Sequence, residues 1–213
     1  MFVDRAAWPF LAAATVAAGL LAALLGALWA APALVLAAFF VFFFRDPRRT
    51  APTEPGLVVS PADARITVAG DPPGPGAPPG QWRHVSMFLS LFDVHVNRTP
   101  VAGTTGSIDY HPGRWLPAYR PEAGELNEWT EVWFECEGGP VVCRQIVGIL
   151  ARRIVCRLRP GVHVDRGQRF GVMKFGSRID LFLPLDVDIL VAPGDKVRGG
   201  TTPVARLARA VES

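Results

Sequence analysis

Three short segments of this 213-residue chain carry side chains able to do chemistry: Ser60-Pro61-Ala62-Asp63, the run DVHVNRTP from Asp93 to Pro100, and Phe175-Gly176-Ser177-Arg178. Each lies between apolar runs. Among them Ser177, His95 and Asp63 supply the hydroxyl, imidazole and carboxylate of an activated nucleophile, in which a base takes the hydroxyl proton and a third group orients the base. Almost any domain contains these residue types, and no GxSxG elbow surrounds Ser177. The glycine before the serine adds another possibility. Lacking a Cβ, Gly176 admits strained torsions. On isolated inspection, a tight turn opening the next strand accounts for the same pair.

The remaining polar residues carry less. Arg98 either holds a carboxylate or phosphate in its guanidinium fork or pairs with Asp93, and both readings stay open. His84, His111 and His163 lie outside the three segments and are expected to pack at the surface or in the core. Arg152 and Arg153 are adjacent, so on a strand at most one points into a site, and a salt bridge to a neighbouring strand accounts for either. Cys136, Cys143 and Cys156 are odd in number and lack CxxC spacing. They read as buried thiols in a reducing compartment, with neither a disulfide framework nor a metal site.

The elements that must position these residues begin with a sharp change of composition near residue 45. From Ala6 to Phe44 there are 39 residues without a charge, whereas one crossing of a bilayer core takes about 20 helical residues. Gly26 and Pro32 interrupt the run. Pro32 predicts a long first helix, Trp8 to Ala31, and a short second one, Ala33 to Phe44, forming a tight or re-entrant hairpin; a single long tilted helix is the alternative. Arg5 before the run and Arg45, Arg48 and Arg49 after it suit a hairpin with both ends cytoplasmic. No small-residue cleavage site interrupts the run as in a signal peptide. The formal charge of +3 comes from arginines scattered among acids, so no nucleic-acid partner is expected, and beside an anchor it favours an anionic lipid surface.

Beyond Arg45 the sequence reads as short strands separated by Gly and Pro, with no long helical period. In Trp129 to Cys136, residues Thr130, Val132, Phe134 and Cys136 point one way and Trp129, Glu131, Trp133 and Glu135 the other. Glu137-Gly138-Gly139-Pro140 turns the chain, and Val141 to Val147 pairs back as a hairpin, with further strands at Ile154 to Leu158 and Ile179 to Leu183. The stretch GDPPGPGAPPG from Gly70 to Gly80 is too poor in N–H donors for a sheet and predicts an exposed loop. Residues 160–167 and 193–200 share the pattern PGxxVxxG, which implies two similar turns with a buried valine. The fold class is mainly β: a compact barrel-like β sandwich preceded by an N-terminal hydrophobic helical hairpin.

Taken together and in order, these segments resemble phosphatidylserine decarboxylases of the short, compact branch. The resemblance is carried by SPADARI at 60–66, MFLSLFDVHVNRTPVAG at 87–103, Asn127-Glu128, QIVGILARRIV at 145–155 and RFGVMKFGSRIDLFLP at 169–184. It implies a proenzyme that cuts its own backbone between Gly176 and Ser177, leaving chains 1–176 and 177–213 as a heterodimer. The Ser177 hydroxyl would attack the Gly176 carbonyl, exchanging the peptide bond for an ester, and elimination and hydrolysis would leave a covalent pyruvoyl cofactor on the second chain. A Schiff base with the amine of phosphatidylserine would then provide the electron sink for loss of carbon dioxide, giving phosphatidylethanolamine. His95 is the candidate acid and base, with Asp63 orienting or charge-stabilising it. Some family members carry a second histidine where Arg98 stands, which leaves the division of labour open.

The uncharged run and its basic flanks make residues 1–45 the expected membrane anchor and 46–213 the expected catalytic domain, on the cytoplasmic side of the cell membrane. A membrane-tethered serine hydrolase and a membrane-anchored β-sandwich adaptor are the competing readings, and both require an intact chain.

Overall fold

A computed structural model of the protein describes residues 2–149, 154–174 and 176–208. Backbone contacts divide the chain into two units, residues 1–48 and 49–213.

The first unit is a helical hairpin. Helix α1 (Trp8–Leu25) and helix α2 (Ala31–Phe43) are joined through Gly26 and a short 3₁₀ turn, Ala27–Ala30. Strands β1 (Phe2–Val3) and β2 (Arg45–Asp46) pair antiparallel, so the hairpin's two ends meet. The break differs from the sequence expectation: the first helix stops at Gly26, whose φ of +102° no α-helix accommodates. Pro32 instead sits in the first turn of α2, where its missing N–H costs no hydrogen bond. Ala18, Ala30 and Ala33 allow close helix packing, and Phe10 stacks on Phe44 and meets Phe40 at a tilt. Residues Arg5–Leu25 form a helical stretch long and apolar enough to cross a membrane.

The second unit is built from β3 (Leu57–Val59), β4 (Ala64–Asp71), β5 (Arg83–Leu89), β6 (Val96–Arg98), β7 (Gly103–His111), β8 (Trp129–Cys136), β9 (Gly139–Ile146) and β10 (Ile154–Cys156). It continues with β11 (His163–Val164), β12 (Arg169–Met173), β13 (Ser177–Leu183), β14 (Asp188–Ile189), β15 (Lys196–Val197) and β16 (Pro203–Arg206), and one short helix, α3 (Ala123–Leu126). The large sheet has the order β11-β7-β8-β9-β13-β5-β4-β15, and two three-stranded sheets, β10-β12-β6 and β14-β16-β3, accompany it.

The alternation read from Trp129 to Cys136 fixes the β8–β9 hairpin, with Trp129 opposite Ile146 and Cys136 opposite Gly139. Val132 and Phe134 enter the main core beside Met87, Cys143, Ile179, Leu181 and Leu183, and Cys136 packs against it. Burial pushes all three thiols up, Cys136 to about 11, so none is a ready nucleophile.

The two PGxxVxxG turns form β11 and β15, the opposite edges of the large sheet, each burying its valine. Their last glycines meet: a Cβ on Gly200 would stand 3.5 Å from Gly167 Cα and 2.6 Å from Cδ of Arg98. The large sheet therefore curls until its edges approach around Arg98. It remains unclosed, because β11 and β15 do not pair, and the architecture is sandwich-like with a barrel-like curl.

Candidate active site

Ser177 opens β13 opposite Leu89 of β5 and is completely buried. Strand alternation puts it on the same face as Ile179, Leu181 and Leu183, toward the core. Its Oγ has no hydrogen-bond partner among the described residues. An unsatisfied buried hydroxyl costs about 1–3 kcal/mol, a penalty a purely structural position would shed by mutation to alanine. Gly176, immediately before it, has φ of +68°, a backbone state L-residues rarely adopt. Phe175, the first residue of the expected cleavage segment, lies outside the described residues, as do Arg152 and Arg153.

His95 stands one residue ahead of β6 and is fully buried. Its backbone carbonyl accepts from the Met173 N–H at 3.2 Å, extending the β6–β12 ladder. The chain thus passes twice between the same two ladders, from Leu89 to His95 and from Met173 to Ser177, so these residues stand at facing ladder ends. The ring Nδ1 lies 3.0 Å from the Asp93 carbonyl oxygen. A carbonyl only accepts, so Nδ1 carries the proton and Nε2 is the basic nitrogen. Asp93 itself accepts from both the amide and the hydroxyl of Ser90 at 2.7 Å, which fixes the turn entering the histidine.

Asp63 is held elsewhere. Its carboxylate receives both terminal nitrogens of Arg49, and the Gly199 N–H donates to Oδ1 at 2.8 Å. Its link to the histidine segment runs through the backbone, because Pro61 two residues earlier accepts the Arg98 N–H at 2.8 Å. Arg98 is buried and donates from Nη1 to the Gly167 carbonyl at 3.1 Å, while Asp93, the partner considered for it, is committed to Ser90.

Two polar groups escaped the sequence reading. Gln145 on β9 and Asn97 on β6 are fully buried, with Gln145 Nε2 donating to Asn97 Oδ1 at 2.7 Å. Gln145 pairs with Ile179, two residues from Ser177, on the core-facing side. The other amide atoms, Asn97 Nδ2 and Gln145 Oε1, have no partner among the described residues. Both residues lay inside motif stretches, but nothing local marked them as buried.

The second group lies on the opposite face of β13, around a cavity of about 660 Å³ lined by His84, Ser86, Arg144, Arg178, Asp180 and Phe182 among others. Asp180 accepts from Nε and Nη2 of Arg178, both at 2.7 Å, and faces His84 Nε2 at 3.3 Å, while His84 stacks on Phe182. Desolvation would raise the Asp180 pKa, but the adjacent His84 imidazole and the Arg178 guanidinium outweigh it and hold the carboxyl well below the usual range. The Pro-rich loop covers part of this face, its Gly76 carbonyl accepting from Arg144 at 2.6 Å. This cavity does not include Ser177.

Fold and site together define a mainly β protein organised around a buried serine behind a left-handed glycine, with a histidine of fixed tautomer at the neighbouring ladder end. Comparison with known proteins gives the class a family. The phosphatidylserine decarboxylase family matches residues 36–205. The phosphatidylserine decarboxylase proenzyme of Nitrosomonas europaea is 44% identical over 204 residues, covering 95% of this chain and 94% of that protein. Proenzymes of the same description from Symbiobacterium thermophilum (45% over 208 residues; 96% and 95% covered) and Solibacter usitatus (43% over 190 residues; 89% of each) are similar. The chain belongs to the phosphatidylserine decarboxylase family.

Proposed function

We propose that this chain is a self-cleaving proenzyme that decarboxylates phosphatidylserine to phosphatidylethanolamine at the cytoplasmic face of a membrane. The observation that carries the reading is the pair Gly176-Ser177: a left-handed glycine followed by a buried serine whose hydroxyl has no hydrogen-bond partner among the described residues. Such a hydroxyl is available to attack the preceding carbonyl, with Nε2 of His95 taking its proton. The C–N bond of the peptide breaks as the C–O bond of an ester forms. Elimination then releases the Gly176 carboxylate, and water displaces ammonia from the new N-terminus of chain 177–213 to leave a pyruvoyl group.

The residues present fit that conversion, since the Ser177 hydroxyl has no hydrogen-bond partner among the described residues and Gly176 holds a left-handed torsion. The pyruvoyl group supplies an electron sink for the pair left at Cα when carbon dioxide departs. In this reading His95 returns a proton to Cα. Asn97 Nδ2 and Gln145 Oε1 offer a donor and an acceptor to the polar headgroup in a buried site, where each is worth more than in water. Asp63, fixed by Arg49 and Gly199, acts as a positioning residue for the segment that holds Arg98 and, through it, His95. The apolar hairpin keeps the site beside its lipid substrate.

The test is decarboxylation of phosphatidylserine presented in phosphatidylcholine liposomes. Purified protein is expected to convert it to phosphatidylethanolamine, and Ser177→Ala is expected to convert none. An intact chain that instead hydrolyses ester bonds through a free Ser177 would establish the serine-hydrolase reading.

A further inference from the structure

Gly148 lies two residues beyond the last residue of β9. The β9–β13 register pairs Arg178 with Ile146, and its continuation sets Gly148 directly opposite Gly176. A Cβ built on Gly148 would stand 2.2 Å from the carbonyl oxygen of Gly176 and 3.3 Å from its carbonyl carbon. The Gly176 carbonyl is therefore turned out of the ladder, into the space a side chain at position 148 would fill. The next nearest atom is Cβ of Ala118, at 3.4 Å, an ordinary contact distance.

Resting on the self-cleavage reading above, we infer that Gly148 is a positioning residue for cleavage: its missing side chain is the seat of the scissile carbonyl oxygen. Attack by Ser177 requires its Oγ to approach the Gly176 carbon along one face of the carbonyl plane, and the direction of the C=O vector decides which face is offered. The left-handed torsion of Gly176 swings the carbonyl outward, and Gly148 leaves the room to receive it. Two glycines on opposed strands thus have one purpose. A methyl group at 148 cannot share that space and must displace the oxygen by about 1 Å or more to reach ordinary contact. Misplacement of that order slows a positioned reaction by up to about 100-fold.

The experiment follows cleavage of newly synthesised full-length chain, reading the first-order appearance of the 177–213 fragment in soluble, folded protein. Gly148→Ala is expected to lower that rate constant about 10- to 100-fold. A merely structural glycine would lower the yield of soluble protein without changing the rate constant of the folded fraction. The double variant Gly148→Ala with Ala118→Gly opens the loop side of the position and is expected to remain slow, because the conflict is with the carbonyl. Restoration of wild-type cleavage by Ala118→Gly would overturn the inference, as would wild-type rates in Gly148→Ala alone. Loss of soluble protein in both variants, with and without Ser177→Ala, would overturn it too. An uncut wild-type chain would instead remove the underlying reading, a result distinguishable from these.

Discussion

Replacing Asp180 by Asn tests whether the buried cluster behind Ser177 holds β13 in place. The Asp180 side chain is 3% exposed and that of Arg178 is 13% exposed. Asn keeps the shape but removes the charge that two 2.7 Å hydrogen bonds from Arg178 and the nearby His84 ring address. Breaking a buried pair by removing one partner costs about 3–5 kcal/mol, and for a domain of this size about 2–4 °C in Tm follows per kcal/mol. Solvent reaches part of the Arg178 guanidinium, so the lower end, about 3 kcal/mol, applies and a fall of about 6–12 °C at pH 7 is expected. The sign with pH follows from the depressed carboxyl. Its contribution is complete above the unfolded-state value near 3.9 and is lost as pH falls through the lower folded-state value. Scanning calorimetry of both proteins at pH 7, 5 and 3.5 should show a constant gap at the first two values and a narrowing one at the third. A gap under about 2 °C at pH 7, or one that widens on acidification, would refute the reasoning.

Other outcomes follow from the same geometry. Gly176→Ala places a Cβ at φ of +68°, at a cost of about 1–2 kcal/mol, and should slow fragment release measured by gel densitometry. Gln145→Leu leaves the Asn97 amide buried without its partner; a loss of about 1–3 kcal/mol in urea unfolding is expected, larger than for the joint replacement of both residues by leucine. Asp63→Asn should weaken the Arg49 and Gly199 contacts and slow cleavage while leaving some processed chain, whereas His95→Ala should leave almost none. Cys136, with its thiol near 11, should react with a thiol reagent at pH 8 at least 100-fold more slowly than a free cysteine.

The β8–β9 hairpin could be read residue by residue because alternation and a Gly-Gly-Pro turn are local signals. The helix break could not: two candidate breakers stood six residues apart, and the structure used glycine to stop one helix and proline to start the next. His84 and Asp180 meet across β5 and β13, strands about 95 residues apart in sequence, and a register of that range leaves no local trace. The same holds for Asn97 with Gln145 and for Gly148 with Gly176. The PGxxVxxG echo was visible as two turns, but its consequence, the approach of the sheet's two edges around Arg98, required the full strand order. Asp63 was picked out by its motif, yet its partner Arg49 lies where composition had suggested only an anchor flank.

Everything proposed for the site depends on the cut between Gly176 and Ser177, which the intact mass of the purified protein reads out. Two chains are expected, 1–176 and 177–213, held together without a covalent bond, the second blocked to N-terminal sequencing. A single uncut chain of full length, active on phosphatidylserine or not, would contradict the cut.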